Sequence, residues 1–115
     1  MRRGEIRRVD LDPVRGSESG KSRPAVIVSN DGANNAAARL GRGVLTVVPL
    51  TSNVTRVYPF QVHLPAETTG LAQESKAQAE QVRSISFDRI GGVLGHVPPA
   101  AMAEVDEALR LHLNL

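Results

Sequence analysis

Arg23 stands directly before the apolar run Pro24-Ala25-Val26-Ile27-Val28, and Thr51-Ser52-Asn53 closes a second one, Val44-Leu45-Thr46-Val47-Val48-Pro49-Leu50. A planar, permanently charged guanidinium beside a pair of hydroxyls suits a phosphate, which the fork can grip and the O–H groups can bond. Each group sits at one end of a stretch whose composition predicts a buried strand. Rigid elements of that kind hold a reacting group better than loops do. The two strands are therefore the elements on which any chemistry must rest.

The elements around them follow from pattern. Gly4 to Leu11 reads as a first strand with Ile6, Val9 and Leu11 apolar, broken by Asp12-Pro13. Residues 14–22 form a polar, glycine-containing loop. Pro24 to Ser29 is apolar at every position but the last, so it predicts a central strand with a proline at its start. Asp31 to Leu40 reads as a short, weak helix or turn, and Val44 to Leu50 as the third strand. Phe60 to Leu64 alternates as a half-exposed strand should; Lys76 to Ala79 and Gly92 to Val97 are shorter ones. Pro98-Pro99 opens a helix from about Ala100 to His112, with Met102, Val105, Ala108 and Leu109 near the helical period. Short strands, one terminal helix and no βαβ spacing predict a mainly β domain, a small antiparallel barrel or curled sheet. Residues 1–115 contain no repeat and no linker, so a single domain is expected.

A chain of 115 residues supports one modest core. It has no cysteine, which removes disulfides, thiolate nucleophiles and sulfur-bound metals, and suits a reducing cytoplasm. No apolar run approaches the roughly 20 residues that span a bilayer, and no apolar signal core follows the charged N-terminus, so no membrane role is expected. The net charge is only +2, but it is unevenly spread. Residues 1–60 carry ten Lys or Arg against five acids, and residues 61–115 carry four against seven. A basic half favours a polyanionic partner; the same count also fits a solvated, arginine-rich surface.

Six blocks in this order resemble a known family. They are Gly4-Glu5-Ile6, Val9 to Pro13, Arg23 to Ser29, Val48 to Ser52, Tyr58-Pro59-Phe60 and Glu80 to Ile85. Together they are similar to the MazF/PemK/Kid toxins of bacterial toxin–antitoxin systems, over nearly the whole chain. The resemblance implies an SH3-like barrel, a homodimer, and ribosome-independent cleavage of single-stranded RNA at short sequences. It also implies silencing by a cognate antitoxin whose disordered tail wraps the toxin, and no cofactor. Departures exist: Arg7 stands where the family often has an aromatic residue, Ser17 where some members have His, and Gln78 where some have Arg.

Such an enzyme needs no metal. The 2′-hydroxyl of the substrate attacks the adjacent phosphorus, leaving a 2′,3′-cyclic phosphate (or later a 3′-phosphate) and a 5′-hydroxyl. Arg23 suits stabilisation of the phosphorane charge, since a guanidinium is a poor proton donor at neutral pH. Thr51 is expected to orient the 2′-hydroxyl or a phosphate oxygen. Glu80 is the base candidate if folding brings it near, with Glu18 its rival. Ser52, Asn53, Gln78 and Gln81 are expected to read bases, and Arg56 and Arg83 to meet phosphates, although Arg83 equally suits a structural ion pair. Tyr58 is the plausible stacking platform, the loop Val54–Pro59 the selector of bases, and Phe60 a core residue. His63, His96 and His112 lack metal-ligand spacing and are given no catalytic role.

Two other classes remain open: a non-catalytic toxin that poisons DNA gyrase by protein binding, and a plain nucleic-acid-binding barrel. Exposed strand edges, or Leu111 and Leu115 left over on the terminal helix, would serve a twofold interface.

Overall fold

Alternating and fully apolar stretches become a continuous antiparallel sheet in the computed structural model, which describes residues 1–115. Its strands are β1 (Glu5–Asp10), β2 (Ser22–Ile27), β3 (Val44–Thr51), β4 (Gln61–Leu64), β5 (Ser75–Gln78), β6 (Arg83–Ser86) and β7 (Ile90–His96). Helix α1 (Asp31–Leu40) follows β2, the single turn α2 (Ala66–Thr69) follows β4, and α3 (Pro99–Leu113) ends the chain. Tight 3₁₀ turns at Ala79–Gln81 and Phe87–Arg89 flank β6. The order across the sheet is β4-β5-β3-β2-β1-β7, with β6 also on β3.

β3 organises this arrangement. One edge pairs with β2, from Ala25↔Pro49 to Ile27↔Val47. Its other edge takes β6 along Val44–Val47 and then β5 at Leu50 and Thr51. Pro49, which has no N–H to give, falls where β6 has ended and β5 has not begun. A proline is tolerated at such a break in the ladder. β2 is buried on both faces, as expected: Val26 belongs to the core under α3, and Ala25 and Ile27 to a second core with Val9, Leu11, Val47 and Ile85. The first core receives Val105 and Ala108 of α3.

Several boundaries differ from the sequence reading. β2 begins at Ser22, two residues before Pro24, so Arg23 lies within the strand opposite Val9 of β1. β6 was not expected, because only Ile85 among its four residues is buried and its pairing with β3 uses backbone. β7 starts at Ile90 and carries extra residues against β1, which accommodates Gly91 and Gly92. Of the helix or turn expected over residues 31–40, the structure has the helix, ten residues long. Asn30 caps it by accepting from Ala33 N–H (2.8 Å), and Gly41 closes it in the left-handed region (φ 66°). Asn34 is completely buried there. It accepts from Ser29 Oγ (2.5 Å) and donates to the Ser29 carbonyl (2.8 Å), while Ser29 Oγ accepts from Thr46 N–H (3.2 Å).

The N-terminal segment is tied to α1 and α3 by charge. Asp31 Oδ1 accepts from Arg3 N–H (2.6 Å), and Arg3 meets Asp106 (2.6 Å) and the Val28 carbonyl (2.8 Å). The backbone N–H of Arg3, helped by Asn34 and the charges of Arg2 and Arg3, outweighs the opposing desolvation and holds the Asp31 carboxyl below its ordinary value of 3.8. A carboxyl with a lowered native pKa stabilises the fold fully above its unfolded pKa, and loses that contribution as pH falls through the native one. Urea midpoints should therefore fall with acidification through and below pH 3.8 more for the wild type than for Asp31→Asn. Parallel curves for the two proteins would show that the carboxylate does not act this way.

Candidate active site

Beyond Ala25↔Pro49 the ladder between β2 and β3 stops, and the two strand ends open into a cavity of about 540 Å³. Continuing the antiparallel register sets Arg23 across from Thr51, and both line this cavity together with Ser52. Arg8 reaches it from β1, and Lys21 from the loop before β2. The far wall is Gly70 to Gln73 with Ser75, and Leu50 and Leu94 give it apolar surface. Three cations thus line a cavity whose wall contains no carboxylate. The guanidinium of Arg8 and the ammonium of Lys21 form no hydrogen bond or ion pair within the chain. An unneutralised cluster of this kind attracts an anion.

Arg23 is half-buried and its plane is set by one contact, Nε donating to the Gly20 carbonyl at 2.8 Å. Both terminal nitrogens remain unbonded, with their donors available to a ligand. Thr51 Oγ1 accepts from Asn53 N–H (3.3 Å), which leaves its own hydroxyl proton free to donate. Asn53 in turn accepts from Thr55 N–H through Oδ1 (3.3 Å), forming a turn at the strand end.

The other expected site residues lie elsewhere. Glu80 is not brought to the cavity. Its Oε2 accepts from Gln61 Nε2 (2.6 Å), and its Oε1 is buried without a partner. Gln61 also accepts from Tyr58 N–H (3.1 Å), so this pair fastens the loop between β3 and β4. Glu18 caps its own loop by accepting from Arg15 N–H (2.5 Å). Gln78 and Gln81 bond to Ser17 and Ser19. Arg83 donates through Nη1 to the Leu11 carbonyl (3.0 Å) and makes no ion pair within the chain. Arg56 lies 5.7 Å from the Tyr58 ring centroid and reaches its hydroxyl at 3.4 Å. Lys76, only 8% exposed, donates to the Arg56 carbonyl (2.6 Å) beneath the same ring. Tyr58 is exposed and stacks on Phe60 at 5.4 Å, and Phe60 is half-buried, not a core residue. His63 pairs with Glu74 at the surface (3.2 Å).

The sequence reading missed Arg8, Lys21 and the 70–75 wall. Arg8 had a weak signal, since it lies across from Pro24 in the β1–β2 register. The wall had none, because it is placed by a backbone approach between distant residues.

A description of PemK-like, MazF-like toxins of type II toxin–antitoxin systems matches residues 2–113. The chain belongs to that family. Endoribonuclease MazF9 of Mycobacterium tuberculosis is 64% identical over 115 residues, covering 100% of this chain and 98% of that protein. The crystal structure of MazF from Deinococcus radiodurans superposes with a TM-score of 0.83 at 28% identity, covering 100% and 97% of the two chains. A mycobacterial endoribonuclease solved with its cognate antitoxin gives 0.77 at 27% identity, covering 100% and 96%. The protein is a MazF-type toxin and an endoribonuclease by class. The expected family and its small barrel with a terminal helix are borne out.

The cavity wall rests on Gly95. A Cβ at that position would overlap the Thr69 carbonyl oxygen and lie 3.2 Å from its carbon, just before Gly70 (φ 83°) turns the chain along the cavity. Gly95→Ala should displace the wall and destabilise the protein by about 1–3 kcal/mol, as overpacking does. A thermal midpoint equal to wild type would show that this approach is looser than described.

Proposed function

We propose that this toxin cuts single-stranded RNA at short sequences without a metal ion, using the 2′-hydroxyl of the substrate as nucleophile. The supporting observation is the cavity shared by Arg23, Thr51 and Ser52, cationic and free of carboxylates. In this reading the terminal nitrogens of Arg23 bond the non-bridging oxygens of the scissile phosphate, more strongly as the phosphorane gains charge. The free O–H of Thr51 donates to a phosphate oxygen, Ser52 adds a second hydroxyl, and Arg8 and Lys21 hold flanking phosphates. The P–O2′ bond forms as the P–O5′ bond breaks, the 2′-hydroxyl proton passes to solvent water and the leaving 5′-oxygen takes one from it, giving a 2′,3′-cyclic phosphate and a 5′-hydroxyl. Glu80, bonded to Gln61 outside the cavity, is not assigned the proton transfer. Its part, with Lys76, is to hold the 54–60 loop, where Tyr58 offers a stacking face and Arg56, with Asn53 just before the loop, meets the strand.

Cutting messages in the cytoplasm would stop translation and growth until an antitoxin binds. An acidic, partly apolar antitoxin segment fits the same cationic cavity. We also propose a homodimer, since Leu111, Leu113 and Leu115 of the α3 end are exposed, as is Val93 on the edge strand β7. At micromolar concentration the mass in solution should be twice that of the chain, and a monomer would remove this part.

The decisive assay incubates a defined RNA with pure protein in excess chelator and maps the fragment ends. Cleavage should persist, and Arg23→Ala should slow it by about 10²–10³-fold. Equal cleavage by that variant, or none by the wild type in chelator, would overturn the mechanism. RNA left intact while topoisomerase–DNA complexes accumulate would return the gyrase-poison reading.

A further inference from the structure

Gln78 and Gln81 carry the amide groups best suited to reading bases, yet both amide oxygens and the Gln81 nitrogen are engaged within the protein. Ser19 N–H donates to Gln81 Oε1 (3.0 Å), Ser19 Oγ donates to Gln78 Oε1 (3.1 Å), and Gln81 Nε2 donates to the Ser17 carbonyl (3.0 Å). Ser19 is 9% exposed, so the two bonds it makes lie where an unmade one is costly. The next carbonyl along the chain, that of Gly20, accepts from Arg23 Nε (2.8 Å).

Gly20 is also pinned from its other side. Asp12 Oδ1 accepts from Lys21 N–H (2.8 Å), and a Cβ on Gly20 would lie 2.7 Å from Val14 Cγ2 and 2.9 Å from Asp12 Oδ1. The carbonyl therefore sits between two fixed points, Ser19 held by the glutamines and Lys21 held by Asp12. The Arg23 guanidinium makes no other hydrogen bond within the chain. Its last torsion, and with it the direction of the donors facing the cavity, depends on that single acceptor.

We propose that Gln78 and Gln81 are positioning residues for Arg23, acting through Ser19 and the Gly20 carbonyl, and that they do not read bases. The proposal rests on the nuclease reading of the cavity for its effect on rate, but its structural content stands apart from it. Freeing Ser19 would let the Gly20 carbonyl swing and the guanidinium turn, and small misplacements of a catalytic group are costly. A base reader would behave differently, because its loss would change which sequences are cut.

Two measurements decide. The first is solvent exchange of the Arg23 Nε–H in the RNA-free protein, followed by nitrogen-15 NMR. Gln81→Ala and Gln78→Ala should each speed it by about tenfold, the worth of one hydrogen bond. Gln78→Glu keeps the acceptor for Ser19 Oγ and should leave exchange near wild type. The second is turnover on a defined RNA pool. Both alanine variants should lose about ten- to a hundredfold in kcat with KM and cleavage sequence unchanged, and Gln78→Glu should recover most of it.

Unchanged Nε–H exchange in both alanine variants would overturn the proposal, whatever the activity. So would an altered cleavage sequence at undiminished kcat. Were the wild type to leave RNA intact, the nuclease reading would fall, and the exchange measurement would still decide whether the tether holds Arg23.

Discussion

The pairing register of β2 and β3 is the constraint on which the site depends. Side chains alternate across a strand, so a slip of one residue would set Pro24 across from Thr51 and turn the guanidinium to the other face. The register is held by Val26, Ile27, Val47 and Val48, all fully buried. Moving four such side chains out of their cores would cost on the order of 5 kcal/mol or more, comparable to the whole net stability of a small domain. Apolar residues that never approach a ligand thus fix where the charged one stands. The ladder then ends at Ala25 and Pro49, and the strand tips open around the pair they deliver.

That part of the molecule could be read from the chain because it is local. Two continuous apolar runs with a polar group at the end predict two buried strands, and Arg23, Thr51 and Ser52 line one cavity as such strands allow. The four-residue β6 could not be read, since one buried side chain carries no periodicity. Nor could the fate of Glu80, Gln78, Gln81 and Arg83. These residues lie in or just before the resemblance block Glu80 to Ile85, but what they touch lies 19 to 72 residues away. Polar side chains name their chemistry in a sequence, and only the tertiary structure names their partners.

The 3₁₀ turn Ala79–Gln81 shows how much can rest on so short a segment. Glu80 grips the loop leading to Tyr58 through Gln61, and Gln81 grips the loop leading to Arg23 through Ser17 and Ser19. Ala79, the first residue of this turn, is buried in the core under α3. The two flexible-looking loops are therefore anchored on a common rigid point, which extends to them the definition of the strands that carry Arg23 and Thr51.

Arg8, Lys21 and Arg23 repel one another with no carboxylate on the wall to offset them. A small oxyanion would relieve that repulsion as readily as a nucleic acid would. Phosphate or sulfate in a working buffer is therefore not an inert choice for this protein. It would compete for the cavity, and rates or affinities taken in such buffers would measure displacement of that ion together with the event of interest.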